Sequence, residues 1–285
     1  LIFINDLPQA VNSKTRLFAD DCIIYREINT PEDANILQAD LVKLAEWEKT
    51  WGMDFHPEKC SILSIHRKRN PITMNYQLKG HTLQQDTSSK YLGVTISKDL
   101  NWATHIGNIV KKANRSLGFL RRNLRISDEN IKSNAYNTLV RPTLEYCSTV
   151  WSPYQRKTSQ QLEMVQRRAA RYVTGRYGNT SSVGNMLQHL KWESLESRRC
   201  KARATMLFKI VHGLVSIDKD KHLCQSTTST RKNHQQTFRQ PQTSKDCHKF
   251  SFFPAAIKIW NNLPASLVES PDINIFKKGL NNLHY

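Results

Sequence analysis

The chain has 285 residues, of which 39% are hydrophobic, and a formal net charge of +18 at pH 7. That length allows one large domain or two ordinary ones, and no internal stretch is long and apolar enough to suggest a membrane-spanning helix. The charge is uneven, because residues 1–100 carry 12 Lys/Arg and 13 Asp/Glu, whereas residues 101–285 carry 30 and 11. This imbalance favours a polyanion as partner, with nucleic acid ahead of an anionic membrane surface. A solvated basic surface without a partner is the alternative.

Cysteine usage and the first residues bear on the compartment. The six cysteines include no Cys-x-x-Cys, so the usual zinc spacing is absent, and most lie in apolar or helical contexts. We therefore expect reduced thiols in an intracellular protein that is not secreted. The chain begins inside the apolar run of residues 1–4, without an initiator Met or a preceding basic segment. This start predicts a fragment cut within an element rather than a signal peptide.

The first predicted elements are a helix end and a hairpin. Residues 1–7 are expected to form the C-terminal end of a helix that stops at Pro8. Two short β-prone runs then flank Asp20 and Asp21. This pattern predicts a hairpin with both carboxylates at its tip.

A long helix is predicted next, followed by strands. Thr30 is a suitable N-cap, Pro31 suits the first turn, and Gly52 is expected to end the helix. The predicted strands cover residues 61–66, 72–78 and 90–96. The first hundred residues therefore mix helix with antiparallel strand.

From residue 101 the apolar residues recur every three or four positions, which is typical of helices. Ser127 is expected to cap the second helix of this region, Pro142 to kink or end it, and Thr158 to open a capping box for the third. A fourth helix is predicted over residues 193–211, with Arg198, Arg199, Lys201 and Arg203 exposed.

The end of the chain changes composition twice. Residues 218–248 are nearly devoid of large apolar side chains and are rich in Ser, Thr, Gln and Lys, which predicts a flexible linker. Residues 249–285 regain aromatic and Leu residues, so we expect a small C-terminal helical segment.

Two adjacent carboxylates at a hairpin tip suit one particular chemistry. Mg²⁺ prefers oxygen ligands and keeps part of its hydration shell. Nucleotidyl transfer uses two such ions, one for the attacking 3′-hydroxyl and one for the leaving triphosphate. The bare pair is a weak signal, because Asp is a common turn residue.

The residues around the pair carry a specific resemblance. Phe18-Ala19-Asp20-Asp21 resembles the aromatic-x-Asp-Asp box of reverse transcriptases, and residues 1–8 resemble the segment before that box in non-LTR (LINE-type) retrotransposon enzymes. Further motifs follow in the family's order: Trp51-Gly52-Met53, His56-Pro57-Glu58-Lys59-Cys60, Tyr91-Leu92-Gly93, Leu100-Asn101-Trp102 and Trp260-Asn261-Asn262-Leu263-Pro264. The last resembles the end of jockey- and CR1-like element proteins. The chain thus resembles the C-terminal part of such a reverse transcriptase, beginning inside the palm.

The resemblance implies roles for matching positions. Asp20 would be the main Mg²⁺ ligand of a two-metal site and Asp21 its neighbour, and Lys59 would approach the leaving phosphates unless it is an ordinary surface lysine. The other implied site residues are Phe18 and Ala19 near the primer terminus, and Tyr91, Leu92 and Gly93 as the primer grip. A buried strand that turns at a glycine is the alternative for the last three.

The resemblance also implies an α+β fold. Residues 1–100 would form a partial palm of antiparallel strands and helices, and residues 101–217 a helical thumb with a basic helical extension. Its helices would follow the backbone of a primer–template duplex. The expected contacts are Lys111, Lys112, Arg115, Arg121, Arg122, Arg167, Arg168 and Arg171. The implied partners are element RNA, a DNA primer or target and dNTP, without a membrane, and the implied place of action is the nucleus.

Two functional hypotheses follow. In the family, the first catalytic carboxylate and the template-binding fingers precede the region that this chain resembles, so we expect half a site here and no activity of the chain alone. The first hypothesis is a fragment of an RNA-directed DNA polymerase. The second is a non-catalytic remnant that binds nucleic acid. His56, where the family usually has Asn, is a minor departure.

Overall fold

The computed structural model describes residues 4–178, 180–226 and 234–283. It divides into two compact units, Leu1–Leu100 and Asn101–Tyr285, which we describe separately. Helices dominate and the strands form small sheets, so the predicted α+β class is confirmed. Within the described residues, every helix falls short of the length and apolarity that a membrane crossing needs.

The strands of the first unit form four two-stranded sheets. Three of the pairs are antiparallel and consecutive in the chain, whereas β3 and β6 run parallel. The strands are β1 (Lys14–Phe18), β2 (Asp21–Tyr25), β3 (Ser61–Leu63), β4 (Gln77–Leu78), β5 (His81–Thr82), β6 (Gln84–Asp86), β7 (Ser88–Tyr91) and β8 (Val94–Ser97). Strands this short gain most of their stability from packing rather than from their ladders.

Helix α2 (Pro31–Trp51) organises the core of this unit. Thr30 and Asp33 form a reciprocal capping box at its start, and Gly52 ends it in the left-handed conformation, as the sequence predicts. Its buried side chains pack against the short helix α1 (Leu7–Ala10) and the inner faces of the strands.

Two details of the first unit correct the predictions. Pro8 lies in the first turn of α1, so it begins a helix rather than closing one, because the first turn needs no backbone N–H from it. Residues 1–3 of the predicted helix end lie outside the described residues. The predicted strand over residues 90–96 is a hairpin, because Leu92 and Gly93 adopt positive φ and reverse the chain.

The second unit is helical. Its longer helices are α3 (Ala103–Asn123), α4 (Glu129–Leu139), α6 (Arg156–Thr174) and α8 (Leu195–Val211), with α5 (Arg141–Glu145) and α7 (Val183–His189) between them. The C-terminal part adds α9 (Asp246–Lys249), α10 (Phe252–Trp260), α11 (Ala265–Val268) and α12 (Ile273–Asn281). Helix α8 joins these sets, because it packs against α6 on one side and against α10 and α12 on the other.

Helix starts in the second unit depart from the sequence prediction. Asp128, not Ser127, caps α4 by accepting the backbone N–H groups of Asn130 and Ile131. Helix α6 starts before the predicted capping box, and the Thr158 hydroxyl instead donates to the Gln155 carbonyl. Asp128 directly follows Ser127 and is an equally suitable cap, whereas Gln155 at the start of α6 is not a typical cap residue.

The region predicted to be a flexible linker contributes to the core where it is described. Leu223, His234, Thr237 and Phe238 are buried, and Leu223 and Phe238 join the apolar cluster of α8, α10 and α12. The His234 Nε2 atom lies 3.0 Å from the Trp260 carbonyl oxygen. A few apolar side chains and a hydrogen bond to Trp260 therefore suffice to dock this polar segment, which composition alone does not reveal. Residues 227–233 of the predicted linker lie outside the described residues.

Two arginines of α8 also contradict the prediction that they are exposed. Arg199 and Arg203 are buried, because α6 and the C-terminal helices cover α8 on both sides. Arg198 is half-exposed and forms a two-pronged ion pair with Glu145, and one of its two bonds is 3.0 Å long.

Candidate active site and nucleic-acid interface

The carboxylate pair lies at the tip of the β1–β2 hairpin. Phe18 pairs with Asp21, so the loop consists of Ala19 and Asp20 alone. Both aspartates are exposed, and Phe18 beside them exposes 61% of its surface. The placement predicted from the sequence is therefore confirmed. Ala19 has φ +53°, a left-handed conformation that costs a residue with a Cβ about 1 kcal/mol.

A buried carboxylate on α2 holds the base of this hairpin. The backbone N–H groups of Asn12 and Ser13 donate to the two oxygens of Asp40, over 2.9 and 2.7 Å. Burial raises the pKa of Asp40, but these hydrogen bonds and nearby Lys43 outweigh burial and leave the pKa below its usual value. Asp40 therefore stays ionised and fixes the chain where it enters β1. Sequence analysis missed this residue, because its spacing gave no sign of a partner 27 positions away.

The flanks of the hairpin anchor it further. Leu17, Cys22 and Ile24 pack against the core of the first unit, and burial, with Cys60 nearby, raises the pKa of the Cys22 thiol to about 11. A thiol with so high a pKa is inert near neutral pH, so Cys22 is a packing residue. The tip is thus exposed on a stem whose inner face is fixed.

The predicted primer-grip residues form a second hairpin tip. Tyr91 pairs with Val94, and Leu92 and Gly93 form a two-residue loop with φ of +44° and +82°. Positive φ at both positions is the pattern of tight hairpins. Tyr91 and Leu92 are half-buried and Gly93 is exposed, so the segment is a turn at the surface and not a buried strand.

In the sequence, Lys59 lies between the two hairpin tips and is adjacent to neither. It ends the short 3₁₀ helix Pro57–Lys59, where its side chain is exposed. This position keeps its ammonium group in solvent and available to an anionic ligand.

Asp20 and Asp21 are suitable ligands for part of a magnesium site. The structure shows no group of three or more His, Cys, Asp or Glu side chains placed to hold a metal among the residues it describes. Two exposed carboxylates are nevertheless a suitable partial set, since Mg²⁺ is usually held by one or two carboxylates together with water and substrate phosphates.

The basic residues of α3 and α6 are brought onto neighbouring helices. Lys111, Lys112, Arg115, Arg121, Arg122, Arg167 and Arg168 are exposed, and Arg171 is half-buried. Arg168 Nη1 donates to Asn114 Oδ1 over 3.2 Å, so the basic side of α6 meets α3. Asn114 itself lies one residue from Arg115.

Hydrogen bonds and a ring contact also connect the ends of α3 and α6. The Tyr172 hydroxyl bonds to the carbonyl oxygens of Leu120 and Leu124, and Arg121 lies over the Tyr177 ring, 6.0 Å from its centroid. The single proton of the Tyr172 hydroxyl is shared between these two carbonyls, and this contact links α6 to the end of α3.

Phe119 is a candidate contact that the sequence analysis did not single out. Its side chain is 57% exposed on α3, between Arg115 and Arg122. An exposed aromatic ring among arginines can stack on a base. The sequence feature that could have identified Phe119 was its position outside the apolar stripe of α3.

Comparison with known proteins identifies relatives of this chain. Residues 1–96 match the family model for reverse transcriptase (RNA-dependent DNA polymerase). Among curated proteins, the chain is 28% identical over 165 residues to a probable RNA-directed DNA polymerase from transposon BS of Drosophila melanogaster, a match over 55% of this chain and 18% of that protein. The predicted resemblance to non-LTR retrotransposon reverse transcriptases is thereby confirmed.

Two further relatives come from the same organism. The match to the probable RNA-directed DNA polymerase from transposon X-element is 23% identical and covers 61% of this chain and 20% of that protein. The match to the RNA-directed DNA polymerase from mobile element jockey is 24% identical and covers 55% and 18%. The chain thus spans about a fifth of the length of these relatives. No solved structure matches it significantly.

Proposed function

We propose that this chain is part of an RNA-directed DNA polymerase that extends a DNA primer on the RNA of a non-LTR retrotransposon. The carrying observation is the exposed Asp20-Asp21 pair at the tip of an anchored hairpin, inside the segment that matches the reverse transcriptase family model. In this proposal residues 1–100 act as part of the palm. Residues 101–217 act as the thumb and its basic extension.

Each site residue has a task in this proposal. Asp20 and Asp21 bind magnesium, which when bound supplies charge neutralisation at the reacting phosphate and lowers the pKa of the primer hydroxyl. Phe18 and Ala19 lie next to the primer terminus, and the Tyr91–Gly93 turn orients the primer strand. Lys59 presents its ammonium group to the leaving phosphates.

The second unit would hold the substrate. Its basic helices supply charge-assisted contacts to backbone phosphates, which are independent of sequence. The substrates in this proposal are an RNA template, a DNA primer or target, and dNTP, and the reaction takes place in the nucleus.

The chain by itself is proposed to be inactive. A two-metal site needs a further carboxylate, and the family supplies it from a strand that precedes the aromatic-x-Asp-Asp box. The pure 285-residue chain should therefore not extend a primer on an RNA template in Mg²⁺ and dNTPs.

The test uses the full-length parent protein in a primer-extension assay. Asp20→Ala should abolish incorporation, whereas Glu27→Ala, which removes one exposed carboxylate just beyond β2, should leave it nearly unchanged. Equal activity of the two variants would contradict the assignment of Asp20. Robust incorporation by the 285-residue chain, abolished by Asp20→Ala, would show instead that the chain holds a whole site.

The charge of residues 101–285 supports a second candidate, a remnant that binds nucleic acid without catalysis. This candidate requires binding by the chain together with an inactive parent. The coding sequence upstream of residue 1 separates the two functions. A stop codon or an unrelated host exon there would favour the remnant.

A further inference from the structure

Helix α8 buries two arginines that lack partners for their charge. Arg199 is 2% exposed and Arg203 is 9% exposed. The Nε and Nη1 atoms of Arg199 and the Nε atom of Arg203 are buried without a hydrogen-bond partner. Among the residues that the structure describes, neither guanidinium forms an ion pair with a carboxylate. The two residues are four positions apart, so they share one face of α8.

This arrangement is unfavourable unless an anion completes it. Buried guanidinium groups lose hydration, and a neighbouring like charge adds to that cost. Arg199 has Glu163 and Glu196 in its wider surroundings, but the charged or titratable neighbours of Arg203 are Cys200 and Arg199. Glu163 is also engaged elsewhere, because its Oε1 accepts the backbone N–H of Glu196 over 2.9 Å.

Arg199 forms a hydrogen bond to the start of another helix. Arg199 Nη2 donates to Ser159 Oγ over 3.2 Å, and Ser159 lies in the first turns of α6, a helix of 19 residues. The N-cap residue Gln155 makes no side-chain capping bond, and the first turn carries no acidic residue. Arg156 and Lys157, the first two residues of α6, are exposed and open this end to solvent.

We propose that the N-terminus of α6, backed by Arg199 and Arg203, binds a phosphate group. A helix N-terminus offers backbone N–H groups and the positive end of the helix dipole to an anion. Arg199 reaches Ser159 in the first turns of α6, so the buried positive charge lies beside this end of the helix. The proposal is independent of the catalytic assignment, because all of its residues lie in the second unit.

The first measurement is the thermal unfolding of the 285-residue chain in inorganic phosphate, compared with chloride at equal ionic strength. Phosphate at about ten times its Kd should raise Tm by roughly 2–5 °C, because a ligand that binds only the folded state stabilises it. No difference between phosphate and chloride overturns the proposal.

Two variants with the same charge locate the site. Ser159→Asp puts a carboxylate beside Arg199, so it should raise Tm without phosphate and abolish the phosphate-dependent shift. Gln160→Asp adds a carboxylate to the next, exposed position of α6 and controls for the helix dipole, so it should keep most of the shift. A full shift in Ser159→Asp, or an equal reduction in both variants, overturns the role of the buried arginines. Circular dichroism checks that both variants fold, and both changes leave the buried arginines in place.

The source of the phosphate is decided by titrating the same two variants with a duplex oligonucleotide. A nucleic-acid phosphate at this site predicts weaker binding by Ser159→Asp than by Gln160→Asp, and competition by inorganic phosphate in the unchanged chain. Equal oligonucleotide affinities, with the phosphate shift still absent only in Ser159→Asp, assign the site to a free phosphate compound. Either result supports a phosphate site at α6.

Discussion

Asp40 shows how a single residue can position a site that it does not touch. Its carboxylate is fully buried and accepts two backbone N–H groups at the entry to β1. Charge-assisted bonds of this kind contribute more than neutral ones, and an unpaired buried N–H is costly. The hairpin tip itself is solvated and has little to fix it except its stem.

Asp40→Ala should therefore lower the free energy of unfolding of the first unit by about 2–4 kcal/mol. Urea unfolding measures this change, and amide hydrogen exchange at Asn12 and Ser13 should accelerate. Lys43→Ala is the control, because its half-exposed ammonium lies 3.8 Å from Asp40 and should contribute less than about 1 kcal/mol. Similar destabilisation in the two variants would mean that the ion pair, and not the backbone bonds, holds the hairpin.

Protonation of His105 is expected to destabilise the folded chain. It lies in the first turns of α3, is buried, and packs against Trp102 and Trp151 with ring centroids 6.4 and 5.0 Å away. Burial lowers its pKa, so the folded chain keeps the imidazole neutral at a pH where the unfolded chain is protonated. The unfolded state then binds the additional proton, and stability rises with pH in that window.

We expect the stability of the second unit to fall as pH decreases below about 6.5, the usual pKa of the unfolded histidine. Urea unfolding between pH 5 and 7.5 measures this slope. In His105→Gln the slope should be smaller, even though the variant is less stable overall because it has no aromatic ring to pack against the two tryptophans. An unchanged slope would assign the pH dependence to the chain's other histidines.

At the scale of elements, both hairpins of the proposed active site have a non-glycine residue at positive φ in their turns. The Leu92-Gly93 turn has a leucine at φ +44° before a glycine at φ +82°, and the Ala19-Asp20 turn has an alanine at φ +53°. A Cβ disfavours that conformation, and glycine adopts it without strain.

Ala19→Gly should therefore stabilise the first unit by about 0.5–1 kcal/mol, despite the greater freedom of the unfolded chain. The same change at Ala39, an exposed position inside α2, should destabilise it by about 0.5–1 kcal/mol. Thermal unfolding of the two variants provides the comparison. A decrease of stability in both would mean that the turn relaxes without strain in solution.

The elements that the sequence predicts best are those with local causes. The carboxylate hairpin and helix α2 follow from a turn between β-prone runs and from a cap followed by an apolar stripe. The β7–β8 hairpin was predicted only in part: the primer-grip resemblance and Gly93 pointed to a turn, but Lys90–Ile96 reads as one β-prone run. The start of α6 was placed three residues late, since its observed N-cap, Gln155, is not a typical cap residue.

At the scale of the whole molecule, charge is divided between the two units. All of the net positive charge lies in residues 101–285, and the exposed arginines of α3 and α6 lie on helices that pack together. A surface of this kind releases counterions when it binds phosphates, so binding should weaken steeply as salt rises.

Neutralising Arg167, Arg168 and Arg171 to Gln should weaken the binding of duplex oligonucleotides about equally across sequences. It should also reduce the slope of log K against log salt by roughly 0.9 for each phosphate that the variant no longer neutralises. Fluorescence anisotropy at several salt concentrations measures both effects. The control neutralises Arg67, Lys68 and Arg69, an exposed basic run in the first unit, and should leave the slope nearly unchanged. Equal effects of the two triple variants would indicate general attraction by net charge rather than a defined surface.

The sequence by itself was enough to predict the resemblance to reverse transcriptases, the α+β class and the carboxylate tip, because motifs, periodicity and turn residues act over a few neighbouring positions. Only the tertiary structure decided that Asp40 holds the hairpin, that Arg199 and Arg203 are buried, and that Leu223 and Phe238 dock a polar segment onto the core. These features depend on partners far apart in the chain. A charged side chain gives no local sign of whether solvent or another helix will cover it.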